Sequence, residues 1–431
     1  MDKLFVGAGR EVITPPIGTC LFGYRPGLQS TSVNDDLTVT AVAFGYDKKI
    51  SMLITIEVCE ISDVSVEELR EKIENLTNVP KYNIIFCATH THSGPITVGI
   101  PGWGDVDREF CDNILVPQTI KAAKKAYDSM IPAKMGIGTV DSDIGINRRQ
   151  IDRHGNILLG QNPWGPYDPA LTVLSFKGLD NTPIVNIIHY CCHGTASGAN
   201  SEITRDWSGP MIDRLEQISG CLTAFYNGAE GDVGPRLSNG ATSGNIKYAL
   251  ELGSKAAIDA VKAYRIIKEY RTDIDMDVVA GDIKLPYKEL LPLKDVEEAL
   301  AKYPNPETLR GLHYLEYTHL KGIYDFYKSG EAAPTHLILK QTLIRVGSVV
   351  FVPFPFEVFV EITLRLRNYS KYQHTLCLSN SNGAVCYLPS QDQICRGGYE
   401  IRTFTAARTF VLTDDVDNYI INANLNLMEE F

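Results

Sequence analysis

Two histidines one residue apart, His90 and His92, follow an apolar run and precede Gly94-Pro95. In an extended segment alternate side chains point to the same side, so both imidazoles can face one space. That arrangement suits two metal ligands, or one ligand and one group that carries a proton. A pair of exposed turn histidines would show the same spacing, so the tripeptide alone leaves both interpretations open.

A second apolar run contains His189 and ends at His193 and Gly194. Because His193 stands at the end of a predicted strand, its side chain can point into a cleft. His189 lies inside the run and is more typical of a buried core histidine. The glycine-rich segment from Gly228 to Gly234 permits close backbone approach, although an ordinary turn would have the same composition.

Single polar residues in two later segments could complete a site. Glu357 follows an apolar run, where it could bind a metal or stand in the first turn of a helix and favour its dipole. Tyr387 and Tyr399 lie in glycine-rich segments, in which tyrosines often serve only for packing.

The elements that must position these residues alternate between strand and helix, a pattern that predicts an α/β fold. The predicted strands are Val39–Phe44, Ser51–Val58, Asn83–Ala88, Leu171–Phe176, Ile184–Cys192, Leu222–Asn227 and Leu343–Val352. The predicted helices are Val64–Leu76, Asp112–Met130, Met211–Ile218, Gly244–Tyr264, Pro306–Lys328 and Glu357–Asn368. We expect one large domain over residues 1–431, with an inserted helical lid or small subdomain at about 279–335.

Composition excludes several classes of protein. The formal net charge of −11 gives no basis for binding nucleic acid or an anionic membrane surface. The apolar runs are too short to span a bilayer, and the start of the chain has no export signal. We therefore expect a cytoplasmic protein without a membrane span, with the oligomeric state left open.

Taken in order, these segments resemble the signatures of the neutral (alkaline, non-lysosomal) ceramidases, from about residue 5 to about residue 405. The matching segments are Val12–Gly18, Thr89–Pro95, Asn147-Arg148, His193–Gly209, Gly231–Pro235 and the pair Tyr387 and Tyr399. The resemblance implies a large mixed-sheet α/β domain with flanking helices, like the N-terminal domain of that family.

The resemblance also implies one zinc ion per chain, whose ligands would be His90, His193, Glu357 and Tyr387. Nitrogen and oxygen donors of this kind suit Zn²⁺. His92 would be the acid/base group, Tyr399 would donate a hydrogen bond to the oxyanion, and Arg148 would contact the substrate. Polar residues near these motifs favour a polar substrate, and the expected contacts are Arg149, Asp206 and Arg236, with Gly234 beside them.

The chain departs from the family where the nucleophilic serine would stand, because that position is Gly234. We expect zinc-bound water to attack instead, with Gly234 leaving room for that water or for a bulkier substrate. The chain also ends about where the family's immunoglobulin-like domain would begin.

The predicted function is hydrolysis of a carboxamide, such as an N-acyl or N-acetyl group, on a small or sugar-like substrate. Three alternatives remain open: a carboxylic ester hydrolase, a non-catalytic metal- or ligand-binding relative, and a ceramidase that uses Ser93 or Ser208.

Overall fold

Eight strands form the larger sheet of the computed structural model, which describes residues 3–431. From one edge to the other they are Leu222–Asn227, Pro183–Tyr190, Ala170–Gly178, Ile131–Asp141, Phe5–Val12, Thr38–Tyr46, Lys49–Ile56 and Ile84–Ala88. The outermost pair at each edge is parallel and the inner pairs are antiparallel. The prediction that the chain has no export signal rests partly on Met1 and Asp2. These two residues lie outside the described residues.

A smaller sheet packs face to face on the larger one. Its strands, in order, are Met276–Pro286, His336–Val346, Val349–Pro353 and His374–Leu378. Phe44 and Phe176 of the larger sheet share one buried cluster with Ile344 and Phe351 of the smaller sheet. Because strand side chains alternate, neighbouring residues such as Ala43 point away from this interface and pack against helices.

Helices cover the outer face of each sheet. The longer ones are Asp63–Thr77, Val116–Asp128, Ser208–Ser219, Ile246–Arg265, Leu293–Leu300, Gly311–Ser329, Val360–Tyr369, Tyr399–Ala406 and Val416–Met428. Short α, 3₁₀ and π turns occur at Arg108–Phe110, Gln391–Ile394, Lys81–Asn83, Pro306–Thr308 and Cys111–Leu115. The layers are helix, sheet, sheet and helix, which confirms the predicted α/β class with a large mixed sheet.

Four short strand pairs lie at the ends of the sheets. They are Ser32–Val33 with Glu202–Ile203, Gly145–Asn147 with Val233–Pro235, Arg149–Ile151 with Ile157–Leu159, and Phe356–Val358 with Cys386–Leu388. The last three pairs carry or adjoin residues that were predicted to be functional.

Two sequence predictions about elements were wrong. The predicted strand Leu343–Val352 is a hairpin, because Gly347 adopts a left-handed conformation (φ 57°) and reverses the chain between two strands. Glu357 does not open a helix, since it lies in the strand Phe356–Val358 and the helix begins at Val360. The strand places the Glu357 side chain beside the strand that carries Tyr387.

The segment expected to be an insertion consists of two helices between paired strands. Met276–Pro286 and His336–Val346 pair along their whole length, and Leu293–Leu300 and Gly311–Ser329 lie between them. Leu315 of the second helix is buried and reaches the candidate site. Within residues 3–431 no helix is both long enough and apolar enough to cross a bilayer.

Candidate active site

The segments that follow the strands Ile84–Ala88 and Pro183–Tyr190 meet and bring His90 and His193 together. The chain after Ile84–Ala88 forms a bridge from Thr91 to Gly194, and the His92 amide donates to the Gly194 carbonyl at 3.1 Å. A Cβ on residue 194 would lie 2.4 Å from the His90 carbonyl oxygen, so only glycine permits this approach. His90 itself has a left-handed backbone (φ 66°), which is uncommon for a residue with a side chain and typical of functional sites.

Backbone carbonyls fix the tautomer of both imidazoles. Nδ1 of His90 lies 2.9 Å from the Cys59 carbonyl oxygen, and Nδ1 of His193 lies 2.7 Å from that of Glu230. A carbonyl only accepts, so each Nδ1 carries a proton, and Nε2 is the ring atom of each histidine through which it could bind a metal. The two Nε2 atoms face each other at 3.2 Å.

The Glu357 carboxylate completes a cluster of electron-pair donors. Its Oε2 lies 3.1 Å from Nε2 of His193 and 3.4 Å from Nε2 of His90, and it is buried without a hydrogen-bond partner. Around a tetrahedral ion with bonds of about 2.0–2.1 Å, neighbouring ligands stand roughly 3.3–3.4 Å apart. The three atoms therefore fit a metal cation in spacing and in chemistry, and together they form a candidate metal group.

The charges of the cluster agree with a shared cation. Burial alone would raise the pKa of Glu357, but His90 and His193 outweigh it and hold that pKa well below its usual range. Burial lowers the pKa of His193 to about 3, and Arg148 adds to the effect. His193 is thus neutral, as a metal ligand must be.

Tyr387 stands beside Glu357 because the two are register partners in parallel strands. Side chains of register partners point to the same face, so the phenol faces the same cavity as the carboxylate. Arg148 donates from Nη2 to the Tyr387 hydroxyl at 2.9 Å and from Nε to Glu400 Oε1 at 2.9 Å. Arg148 thus positions the Tyr387 phenol through this hydrogen bond, and it does not line the cavity.

The predicted catalytic groups His92 and Tyr399 line the same cavity, whose volume is about 50 Å³. Its wall is formed by Phe22, Gly23, Glu60, His90, His92, Ile100, Trp103, Leu315, Glu357, Tyr387, Tyr399 and Thr403. The structure therefore brings together His90, His92, Glu357, Tyr387 and Tyr399 in one space, with His193 in contact with two of them.

His92 is packed so that its ring has little freedom. A Cβ on residue 23 would lie 2.1 Å from His92 Nδ1, and Gly23 also has a left-handed backbone (φ 109°), so both features require glycine there. Nε2 of His92 lies 3.2 Å from Nε2 of His90. Burial, followed by the neighbouring imidazoles of His90 and His193, lowers the pKa of His92 well below its usual value, so the ring is neutral and can accept a proton.

Tyr399 begins the helix Tyr399–Ala406 after two glycines with left-handed backbones, Gly397 and Gly398. Burial, with the nearby Glu357 charge, raises the pKa of Tyr399 to about 12. The phenol therefore keeps its proton at neutral pH and can donate it in a hydrogen bond.

Three residues predicted to contact substrate are instead bonded within the protein and lie outside the cavity wall. The Asp206 carboxylate accepts from the amides of Ala196, Ser197 and Trp207. Arg149 donates to Glu400, Gln393 and the Gly397 carbonyl. Arg236 donates to the Gly145 carbonyl and lies over the Tyr167 ring. Residue type alone indicated polar contacts, but Asp206 bonds to the segment after His193 and Arg149 to the segment before Tyr399, while Arg236 bonds to the Gly145 carbonyl.

Gly234 does not leave open space. A Cβ built on it would lie 2.8 Å from Thr242 Cβ and 2.9 Å from Thr242 Cγ2. The expectation that this glycine makes room for water or a bulkier substrate was therefore wrong, because Thr242 fills the position. The alternative serines are also engaged elsewhere: Ser93 contacts Ser197 and Asn200, and Ser208 donates to the Arg205 carbonyl.

Sequence reasoning missed two buried acids next to the metal group. Glu60 lines the cavity, and burial, with the Glu357 charge, raises its pKa to about 7. Glu230 accepts from Asn380 at 2.7 Å through Oε1, and burial raises its pKa to about 8. The available signal was position, since Glu60 follows the carboxyl end of Lys49–Ile56 as His90 follows that of Ile84–Ala88.

Comparison with solved structures identifies the architecture. A neutral ceramidase from Pseudomonas aeruginosa superposes with a TM-score of 0.75 at 16% sequence identity, over 100% of this chain and 75% of that one. This chain has the neutral ceramidase fold. A structure described as ceramidase complexed with C2 gives a TM-score of 0.74 at 16% identity, over 99% of this chain and 75% of that one. No family model and no curated protein matches the sequence. The neutral ceramidase fold was therefore predicted correctly from motifs in a chain of very low overall identity.

Proposed function

We propose that this protein is a zinc-dependent hydrolase that cleaves a carboxamide, an N-acyl or N-acetyl bond, of a small polar substrate. The observation that carries the proposal is the meeting of three potential metal-ligand atoms from His90, His193 and Glu357 beside a cavity that also holds His92 and Tyr399. The neutral ceramidase fold supports it, because a ceramidase acts on an amide.

The donor set favours zinc among metal cations. Two imidazole nitrogens with carboxylate and phenol oxygens form the borderline set that Zn²⁺ prefers, and we propose Tyr387 as the fourth ligand. Zinc held by these residues would make water a nucleophile near neutral pH and polarise the scissile carbonyl.

His92 is the proposed proton carrier. Its ring is neutral, borders the metal position and has a buried Nδ1 without a partner. In that state it accepts a proton from the attacking water and returns it to the leaving nitrogen. An amide needs this second transfer more than an ester does, because an amine leaves poorly without a proton.

Tyr399 supplies a hydrogen bond to the developing oxyanion, since its phenol stays protonated in the cavity. Arg148 orients Tyr387 through the bond between Nη2 and the phenol oxygen. Arg148 therefore acts through Tyr387 rather than by touching substrate.

Water is the proposed nucleophile because no serine among residues 3–431 lines the cavity. Gly234 has no hydroxyl group, and Ser93 and Ser208 are bonded to other groups. The small volume of the cavity, about 50 Å³, favours a short acyl group beside the metal position. Leu315 closes one side, and we propose that the helical segment at 279–335 acts as a lid.

The proposal is tested by metal analysis together with a panel of N-acetyl amines and p-nitrophenyl esters. We expect one zinc per chain and faster turnover of the N-acetyl amines than of the esters. His92→Ala should retain zinc and lose roughly 10²- to 10⁴-fold in kcat. The exposed His154 provides a control, since His154→Ala should change neither quantity. Bound zinc without turnover of any substrate would favour a binding protein, and preferential ester cleavage would favour an esterase.

A further inference from the structure

Glu60 is a buried acid in the cavity wall whose carboxyl group accepts no hydrogen bond from residues 3–431. It is 7% exposed, and within residues 3–431 neither of its side-chain oxygens accepts a hydrogen bond. Oε2 is shielded from solvent as well. A buried carboxylate without a donor is unfavourable by several kcal/mol, so such a group normally has a partner when the protein works.

The other buried acids around the site either accept a hydrogen bond or face the candidate metal position. Glu357 faces the two imidazoles, Glu230 accepts from Asn380, and Glu400 accepts from Arg148 and Arg149. Glu60 does not belong to the converging donor atoms of His90, His193 and Glu357. The metal group therefore does not account for it.

The surroundings of Glu60 would strengthen a bond to a ligand. Phe22, Ile100, Trp103 and Leu315 form an apolar part of the same cavity wall. In such surroundings a hydrogen bond to a charged group is stronger than in water. The small cavity also keeps any group bound to Glu60 within a few atoms of the metal position.

We propose that Glu60 is a substrate-binding subsite that accepts a hydrogen bond from a protonated amine or a hydroxyl group carried a few atoms from the scissile acyl bond. This inference rests on the proposed function and defines its substrate class. An ammonium group is the better ligand, because it matches the carboxylate in charge as well as in hydrogen bonding.

Three ligands of equal length test the subsite: N-acetylethylenediamine, N-acetylethanolamine and N-propylacetamide. They end in an ammonium, a hydroxyl and a methyl group. Binding to zinc-loaded protein at pH 7 is measured by calorimetry in a His92→Ala background, which prevents turnover. We expect the ammonium ligand to bind roughly 10- to 100-fold more tightly than the methyl ligand, with the hydroxyl ligand between them.

Two substitutions separate the roles of charge and hydrogen bonding. Glu60→Gln should abolish most of the preference for ammonium while retaining that for hydroxyl, and Glu60→Ala should abolish both, with binding of the methyl ligand unchanged. Glu361→Gln, on a half-buried acid outside the cavity, is the control and should change none of the affinities. Thermal melting establishes that each variant is folded, and Glu60→Gln retains the shape of the side chain if Glu60→Ala does not fold.

The inference is overturned if wild-type affinities for the three ligands are equal, or if both variants weaken all three by the same factor. Hydrolysis of N-propylacetamide with equal affinities would refute the subsite alone. A third outcome combines the expected order of affinities with no hydrolysis of any ligand by protein that retains His92. That outcome would refute the hydrolase proposal and support the subsite.

Discussion

Gly234→Ser would restore the hydroxyl of the family's nucleophile position, and we predict that it destabilises the protein without creating a serine hydrolase. The new Cβ would lie 2.8 Å from Thr242 Cβ and 2.9 Å from Thr242 Cγ2, distances that real Cβ atoms essentially never show. Thr242 is buried and β-branched, so it cannot move aside by rotation alone. Overpacking of this kind costs about 1–3 kcal/mol in the free energy of unfolding.

A double-mutant cycle assigns that loss to the contact with Thr242. Urea denaturation of wild type, Gly234→Ser, Thr242→Gly and the double variant gives the coupling energy. We expect the double variant to be more stable than the sum of the single effects predicts, by about the 1–3 kcal/mol of the clash. Additive effects, or a Gly234→Ser protein as stable as wild type, would refute the packing argument. A burst of acyl-enzyme with Gly234→Ser would refute the proposal that water is the nucleophile.

The remaining predictions concern the metal, the acids and the lid. Glu357→Gln and His193→Ala should each lower zinc content from one per chain toward zero by elemental analysis, whereas His189→Asn, outside the metal group, should retain it. Burial raises the pKa of Asp232 from 3.8 to about 7, so the native state binds more protons than the unfolded state and stability falls as pH rises between these values. Asp232→Asn should therefore reduce the slope of the unfolding free energy against pH by up to about 1.4 kcal/mol per pH unit. Urea titrations from pH 4.5 to 7.5 measure this slope, and an unchanged slope would contradict the prediction. Leu315→Ala should raise kcat/KM for butanoyl relative to acetyl substrates several-fold, an effect that the exposed Leu291→Ala control should not reproduce.

The strand-end positions of the ligands could be predicted because local sequence determines them. His90 and His193 each follow an apolar run, and strand ends of an α/β sheet are close together. The meeting of His90 and His193 could not be predicted from the local sequence of either. Their tautomers could not be predicted either, because they depend on the carbonyls of Cys59 and Glu230, which are distant in the chain. The motif resemblance provided this long-range information.

The errors have a common physical cause. The sequence shows that Asp206, Arg149 and Arg236 are polar, but it does not show that backbone groups and Glu400 already satisfy them. Likewise, the space above Gly234 depends on a loop that returns to place Thr242 there. Glu60 was missed for the converse reason, because the absence of a partner is visible only in three dimensions. The cytoplasmic location and the single domain over residues 1–431 stay predictions.

The most direct test of the central claim is anomalous diffraction at the zinc edge from crystals of the purified protein. We predict one peak per chain, about 2.0–2.2 Å from Nε2 of His90, Nε2 of His193 and Oε2 of Glu357. A fully folded, zinc-supplemented protein with no peak between these three atoms would contradict the account.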